Sequence, residues 1–203
     1  MPPSDFSPAA DRNKQPILQA LLQLLPEQGS ALEIASGTGQ HAAWFAAGLP
    51  HWSWQPSDAQ SAVLPDIAGR IAQEALTNVR APLLLDVMTE RWLLEPEQFD
   101  LVFCANMLHI ARWPTCAALM HGSARHLAPG GVVVTYGPYL EDSVSVSPGN
   151  QEFDRSLRQQ NPAWGLRRRE DVELAADQAG LQLSARVAMP ANNLLLAWRR
   201  KSL

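Results

Sequence analysis

Short apolar runs alternate along this chain with stretches whose apolar residues recur at helical spacing. Residues 31–35, 51–55, 81–85, 99–104 and 132–136 each read as a buried strand. Between them, residues 38–47, a span from about Pro65 to Leu76, and residues 115–127 read as helices. Proline is acceptable at the first position of the second. Another helix precedes the first strand at residues 14–25, with Ile17, Leu18, Leu21, Leu22 and Leu25 on one face. Near the end, a helix at 169–179 stops at Gly180, as a helix C-terminus favours. Strands at 181–188 and 194–198 then flank a turn at 189–193, which is too short for a parallel crossover, so they must pair antiparallel. The pattern predicts an α/β, Rossmann-like fold. Its seven-stranded sheet is mostly parallel, carries helices on both faces and ends in an antiparallel closing strand.

One segment breaks the alternation. Residues 137–162 are polar, interrupted by Pro138, Pro148 and Gly149, with a helix expected only near residues 152–158. An irregular stretch of that length inside a compact domain usually serves as a lid or pocket wall, here residues 137–166. No repeat or domain boundary divides the chain, which reads as one domain over residues 1–203, opened by an N-terminal arm and helix (1–30).

Composition narrows the partners. With 203 residues and 46% hydrophobic content the chain can bury a sizeable core. A net charge of −4 gives no broad basic footprint and argues against nucleic acid. The two basic clusters, at residues 167–169 and 199–201, read as a solvated helix start and a chain end. Cys104 and Cys116 sit in apolar contexts as small buried residues, and five scattered histidines show no metal-ligand spacing, so no metal is expected. No apolar run approaches the roughly 20 residues of a membrane span, and Met-Pro-Pro-Ser is no signal peptide. A cytoplasmic protein without membrane contact is expected.

The chemistry centres on the string Ala31-Leu-Glu-Ile-Ala-Ser-Gly-Thr-Gly-Gln-His41. A buried strand, a glycine turn and a helix place free backbone N–H groups at the strand's carboxyl edge, the makings of a nucleotide-cofactor site. Two cofactors fit the turn. Gly37-Thr-Gly-Gln-His-Ala42 satisfies G-x-G-x-x-A, and Asp58 falls where a dinucleotide fold places its ribose-binding acid. S-adenosylmethionine fits equally, with Glu33 as the strand acid and Ala35 in place of the first glycine. Glu33 tips the choice, because a carboxylate in an apolar strand needs a donor. A cofactor ammonium would supply one directly or through water. Asp86 at the end of the third strand can accept from an adenine amine. The antiparallel closing pair is the architecture associated with class I methyltransferases.

Further strings make a specific resemblance. They are Ser7-Pro-Ala-Ala-Asp-Arg-Asn-Lys14, Trp54-Gln-Pro-Ser-Asp58, Asn106-Met-Leu-His-Ile110, Tyr136-Gly-Pro138, Phe153-Asp-Arg-Ser-Leu-Arg158, Trp164-Gly165 and Met189-Pro-Ala-Asn-Asn193. With the glycine turn they make the chain resemble the methyltransferase-like 26 family (DUF938), class I methyltransferase-like proteins, over roughly residues 7–200. Ala35 belongs to that family's pattern; Gly149 departs from it, standing where serine is expected. The resemblance implies a class I methyltransferase fold and S-adenosylmethionine as cofactor, with S-adenosylhomocysteine as product, and leaves the acceptor unnamed.

Roles follow from position, each beside a plainer alternative. Glu33, Ser36, Gly37, Thr38 and Gly39 are expected at the cofactor's methionine end, or as turn structure. Asp58 is expected on the ribose, or as a helix cap. Asp86 and Val87 are expected at the adenine, Asn106 and Met107 beside the sulfonium. Arg12 and Asn13 are expected to fold over the cofactor, Arg12 taking its carboxylate, or to form a surface arm. His41 caps its helix or contacts the cofactor. His109 is the candidate base for an amine or hydroxyl acceptor, or a packing residue. Tyr136, Tyr139, Asn150, Arg158, Trp164 and Arg167, with Asn192 and Asn193, are the candidate acceptor pocket, or pins for a long loop.

The expected activity is methyl transfer to a small molecule, mainly by positioning. The chain lacks the Asn/Asp-Pro-Pro-Tyr/Phe string of adenine-N6 or amide methyltransferases and the Pro-Cys of cytosine-C5 enzymes. A cofactor-binding sensor without turnover is the alternative, and a nicotinamide oxidoreductase the remote one. The oligomeric state stays open.

Overall fold

The computed structural model describes residues 6–94 and 98–201; the Met-Pro-Pro-Ser reading lies outside them. Strands β1 (Gly29–Ile34), β2 (Trp52–Asp58), β3 (Leu83–Leu84), β4 (Phe99–Ala105) and β5 (Leu127–Gly137) alternate with helices α1 (Pro8–Leu24), α2 (Gln40–Gly48), α3 (Leu64–Gln73) and α4 (Pro114–His126). There follow β6 (Tyr139–Leu140), α5 (Pro148–Gln160), β7 (Arg167–Arg168), α6 (Arg169–Gln178), β8 (Leu181–Met189) and β9 (Asn193–Arg200). The main sheet runs β3-β2-β1-β4-β5-β9-β8. Its first five strands are parallel, and β9 is antiparallel to both β5 and β8.

Alternation along the central strands divides the core between the two faces of the sheet. Leu32 and Ile34 of β1, with Val102 and Cys104 of β4, pack with Leu119 and Met120 of α4 and Val172 of α6. Ala31, Leu101 and Phe103 turn the other way, to Ile17 and Leu21 of α1 and Phe45 of α2. Both cysteines are free and buried.

Two expectations are corrected. The described part of the arm is mostly helix, because the Ser7 hydroxyl accepts from the Ala10 N–H and Pro8 opens the first turn, so α1 starts six residues early. The segment after Gly137 is more regular than predicted: α5 spans 13 residues, and β6 pairs with β7 in a small parallel ribbon. Ser147 caps α5 by accepting from the Asn150 N–H, with Pro148 in its first turn.

The sheet's order reverses between β1 and β4. The chain winds outward from β1 through β2 to β3, then returns to β4 on β1's other side. At such a switch point the loops leaving the two strands diverge and open a crevice at their carboxyl ends.

Candidate functional site

Four bonds hold the glycine turn in that crevice. The Ser36 N–H donates to the Ser57 carbonyl (2.8 Å) and the Ser36 hydroxyl accepts from the Ser57 N–H (3.1 Å), tying the turn to β2. Asp58, at the end of β2, accepts from the Gly37 N–H (2.9 Å) through one oxygen and from the Gln60 N–H (2.9 Å) through the other. From α3, Arg70 Nε donates to the Thr38 carbonyl (2.9 Å).

The two glycines differ in purpose. Gly37 has a φ of 54° and open space where a Cβ would stand, so its face is clear for a ligand. At Gly39 (φ 71°) a Cβ would lie 3.1 Å from the Ile67 Cα; this glycine lets α3 approach. Ala35 also has a positive φ, 55°, a conformation that disfavours a side chain.

A cavity of about 490 Å³ opens above the turn. Ser36, Gly37, Thr38, His41 and Asp58 line one side, Asp86, Val87, Asn106 and Met107 the other, and Ser7 and Ala10 at the start of α1 overhang it. Asp86 Oδ1 accepts from the Met88 N–H (2.9 Å), which fixes its loop. Among the described residues two carboxylates face this cavity, and no lysine or arginine lines it.

Glu33 and Gly39 do not line it. Glu33 is buried and accepts from the indole Nε1 of Trp54 at 2.8 Å, so its donor lies within the protein and the need for a cofactor ammonium is corrected. Burial pushes its carboxyl up to about 8, against the pull of hydrogen bonds from Trp54 and Ser36.

A second cavity of about 740 Å³ adjoins the first, sharing Asn106 and Ile110 with it. Of the expected residues, Arg12, Asn13, His109, Tyr136, Asn150 and Asn193 line it. Arg12 and Asn13 therefore face this second cavity and not the cofactor side where they were expected. Asn13 nevertheless joins the two. Its Oδ1 lies 2.7 Å from His41 Nε2, and His41 lines the first cavity. His41 stacks on Phe45 and is held neutral, its pKa lowered to about 4 chiefly by burial.

His109 sits in a single 3-10 turn (Leu108–Ile110) after β4, its ring edge-on to Phe153 at 5.5 Å. Burial, then the Arg167 charge, lowers its pKa to about 4, so the imidazole is neutral. The segment at 163–167 pins it. The Gly165 N–H donates to the His109 carbonyl (2.9 Å), and Arg167 reaches the Leu108 (3.0 Å), Ala111 (2.5 Å) and Ala163 (2.8 Å) carbonyls.

Five of the expected pocket residues are thus corrected. Arg167 braces the His109 turn, and Arg158 pairs with Asp154 (2.8 Å), whose other oxygen accepts from the Leu166 N–H (2.7 Å). Tyr139 is buried in the core. Trp164 lines neither cavity; its N–H donates to the Asn161 carbonyl (2.9 Å). Asn192 faces a shallow cleft of about 210 Å³, and its carbonyl accepts from Asn150 Nδ2 (3.3 Å).

Sequence reasoning missed Ser7, Gln60 and Phe153. Ser7-Pro8 is a legible helix start, and Phe153 shares a face with Leu157, four residues on, in an otherwise polar helix. Gln60 offers no local signal.

Residues 4–200 match a family described as "Protein of unknown function (DUF938)". Among solved structures, an O-methyltransferase family protein from Burkholderia thailandensis superposes with a TM-score of 0.80 at 18% identity, over 96% of this chain and 58% of the other. The apo form of the S-adenosylmethionine-dependent methyltransferase SibL gives 0.79 at 20% identity, over 96% and 56%. The SAH-bound form of CalO1, a methyltransferase in calicheamicin biosynthesis, gives 0.72 at 14%, over 96% and 61%. At these identities the likeness shows the fold alone, that of class I methyltransferase domains. The chain spans little more than half the length of those proteins.

Proposed function

We propose that this chain, which belongs to the DUF938 family, binds S-adenosylmethionine and transfers its methyl group to a small organic acceptor. The observation that carries the reading is the charge of the cavity above the glycine turn. Asp58 and Asp86 line it, with no lysine or arginine among the described residues there. That pair of acceptors suits a ligand offering a ribose diol, an adenine amine and net positive charge, and it would repel a dinucleotide's pyrophosphate.

In this reading Asp58 accepts from the ribose hydroxyls, since each of its oxygens keeps a lone pair beyond the backbone bond it already accepts. Asp86, with the apolar Leu85 and Val87, receives the adenine. The free face of Gly37 and the positive end of α1 receive the methionine end. Bound there, the cofactor supplies a methyl group on a sulfonium, already electrophilic. What remains for the protein is to hold an acceptor in line and to keep water out. The adjoining cavity holds the acceptor, and neutral His109 can take a proton from an amine or hydroxyl.

Calorimetry with S-adenosylhomocysteine and with NADH tests the binding half. The first should bind and the second should not, and binding of NADH alone would sink the proposal. Asp58→Ala should weaken S-adenosylhomocysteine by roughly 10- to 100-fold, the loss of hydrogen bonds to a charged group. Incubation with methyl-labelled cofactor and a metabolite extract tests transfer; binding without any labelled product would favour a sensor.

A further inference from the structure

The two adjoining cavities carry opposite charge. Among the described residues the first has two carboxylates and no cation, and the second has the guanidinium of Arg12 and no aspartate or glutamate in its lining. Among the described residues Arg12 forms no ion pair or hydrogen bond, although Asp11, beside it in α1, is paired with Lys14 at 2.6 Å. The same cavity receives the N-terminal turn of α5 through Asn150, and a helix start adds positive potential.

The other donors there are neutral. Tyr136, which lines the same cavity, carries a neutral hydroxyl that can donate to a ligand. Pro16, Ile110, Pro138 and Phe153 supply an apolar wall. Arg12 is itself exposed, so this wall serves to hold the apolar part of a ligand whose charge the guanidinium meets at the solvent side. One guanidinium with no lysine matches a single negative charge, and its planar fork matches a carboxylate.

Resting on the methyltransferase reading above, we propose that the acceptor is an organic carboxylate with a flat apolar body, its carboxylate anchored on Arg12. Arg12 is then a substrate-selecting residue and leaves the cofactor's methionine end to the turn and to α1. Methylation falls on another group of the same molecule.

The test uses the full chain saturated with S-adenosylhomocysteine and two isosteric probe pairs, indole-3-acetate with indole-3-acetamide and benzoate with benzamide. Calorimetry should show the acid of at least one pair binding about tenfold or more tighter than its amide, as a charge-assisted pair requires. Arg12→Met should erase that preference and Arg12→Lys restore part of it, while affinity for S-adenosylhomocysteine stays within about threefold. The proposal is overturned if no acid binds, if acid and amide bind alike, or if the preference survives Arg12→Met. It is equally overturned if Arg12→Met costs cofactor affinity, which would return Arg12 to the methionine end. Failure of the wild-type chain to bind S-adenosylhomocysteine would instead remove the methyltransferase reading itself.

Discussion

Trp54 Nε1 donates to Glu33 Oε2 at 2.8 Å between adjacent strands, both side chains buried. The acid that marks the cofactor strand in the sequence is thus tied to the sheet behind the turn. Its carboxyl, raised to about 8 by burial, is mostly protonated at neutral pH.

This pairing has a pH signature. An unfolded glutamate loses its proton near 4.5 and folded Glu33 near 8, so between those values the unfolded state binds fewer protons and stability falls as pH rises. His41 and His109 act oppositely. Both drop from 6.5 to about 4, so stability falls as pH descends through that window. For these three groups together the ligand-free protein should be most stable near about pH 6.5. Glu33→Gln should remove the decline above that value and steepen the rise between about pH 4.5 and 6.5, where Glu33 otherwise offsets part of the histidine effect. Melting curves from pH 5 to 9 check this; parallel curves for variant and wild type would refute it.

Ala35 holds a φ of 55° where glycine would be relaxed. Ala35→Gly relieves roughly 1 kcal/mol of strain but adds unfolded-state entropy, so the expected gain lies between zero and about 1 kcal/mol. Ala35→Val should cost about 2 kcal/mol or more. Urea midpoints decide, and a glycine variant less stable than wild type by over about 1 kcal/mol would contradict the strain.

His109 should stay neutral across the working range. Its ring proton shifts, followed by NMR, should not titrate between pH 5.5 and 8, because its pKa is lowered to about 4. Once an acceptor is known, His109→Ala should lower kcat by about 10²-fold or more with cofactor affinity unchanged. Full turnover would retire the base role and leave positioning alone.

Arg167 holds three carbonyls around the His109 turn. Arg167→Met should destabilise the protein by about 2 kcal/mol, and Arg167→Lys should recover little, since an ammonium cannot span those acceptors as a planar fork does. Amide exchange at Leu108 to Ile110 should accelerate in both variants. Unchanged exchange would mean that Gly165 alone secures the turn.

Much of the fold was legible because local pattern dictated it. Apolar runs punctuated by helical spacing gave the parallel half of the sheet, and the short 189–193 turn forced β8 and β9 antiparallel. The glycine turn was legible for the same reason. What escaped depended on reach across the fold. Glu33 finds Trp54 21 residues away on the next strand, and Arg167 reaches the Leu108 carbonyl 59 residues back. Arg158 and Arg167 looked like pocket residues because arginines in irregular segments serve ligands and loops alike. Their partners here are a carboxylate and backbone carbonyls, which no spacing reveals.

Beside Tyr136 of β5 and the loop after β4, the second cavity draws its outer wall from α1, from α5 and from the 189–193 turn, which are peripheral to the parallel strands. The glycine turn and Asp58, by contrast, are built into the sheet's centre. A substitution in the peripheral wall leaves β1, β2 and β4 untouched. Selection can therefore alter what enters the second chamber without disturbing what occupies the first, and relatives that share the turn are free to diverge in what they accept.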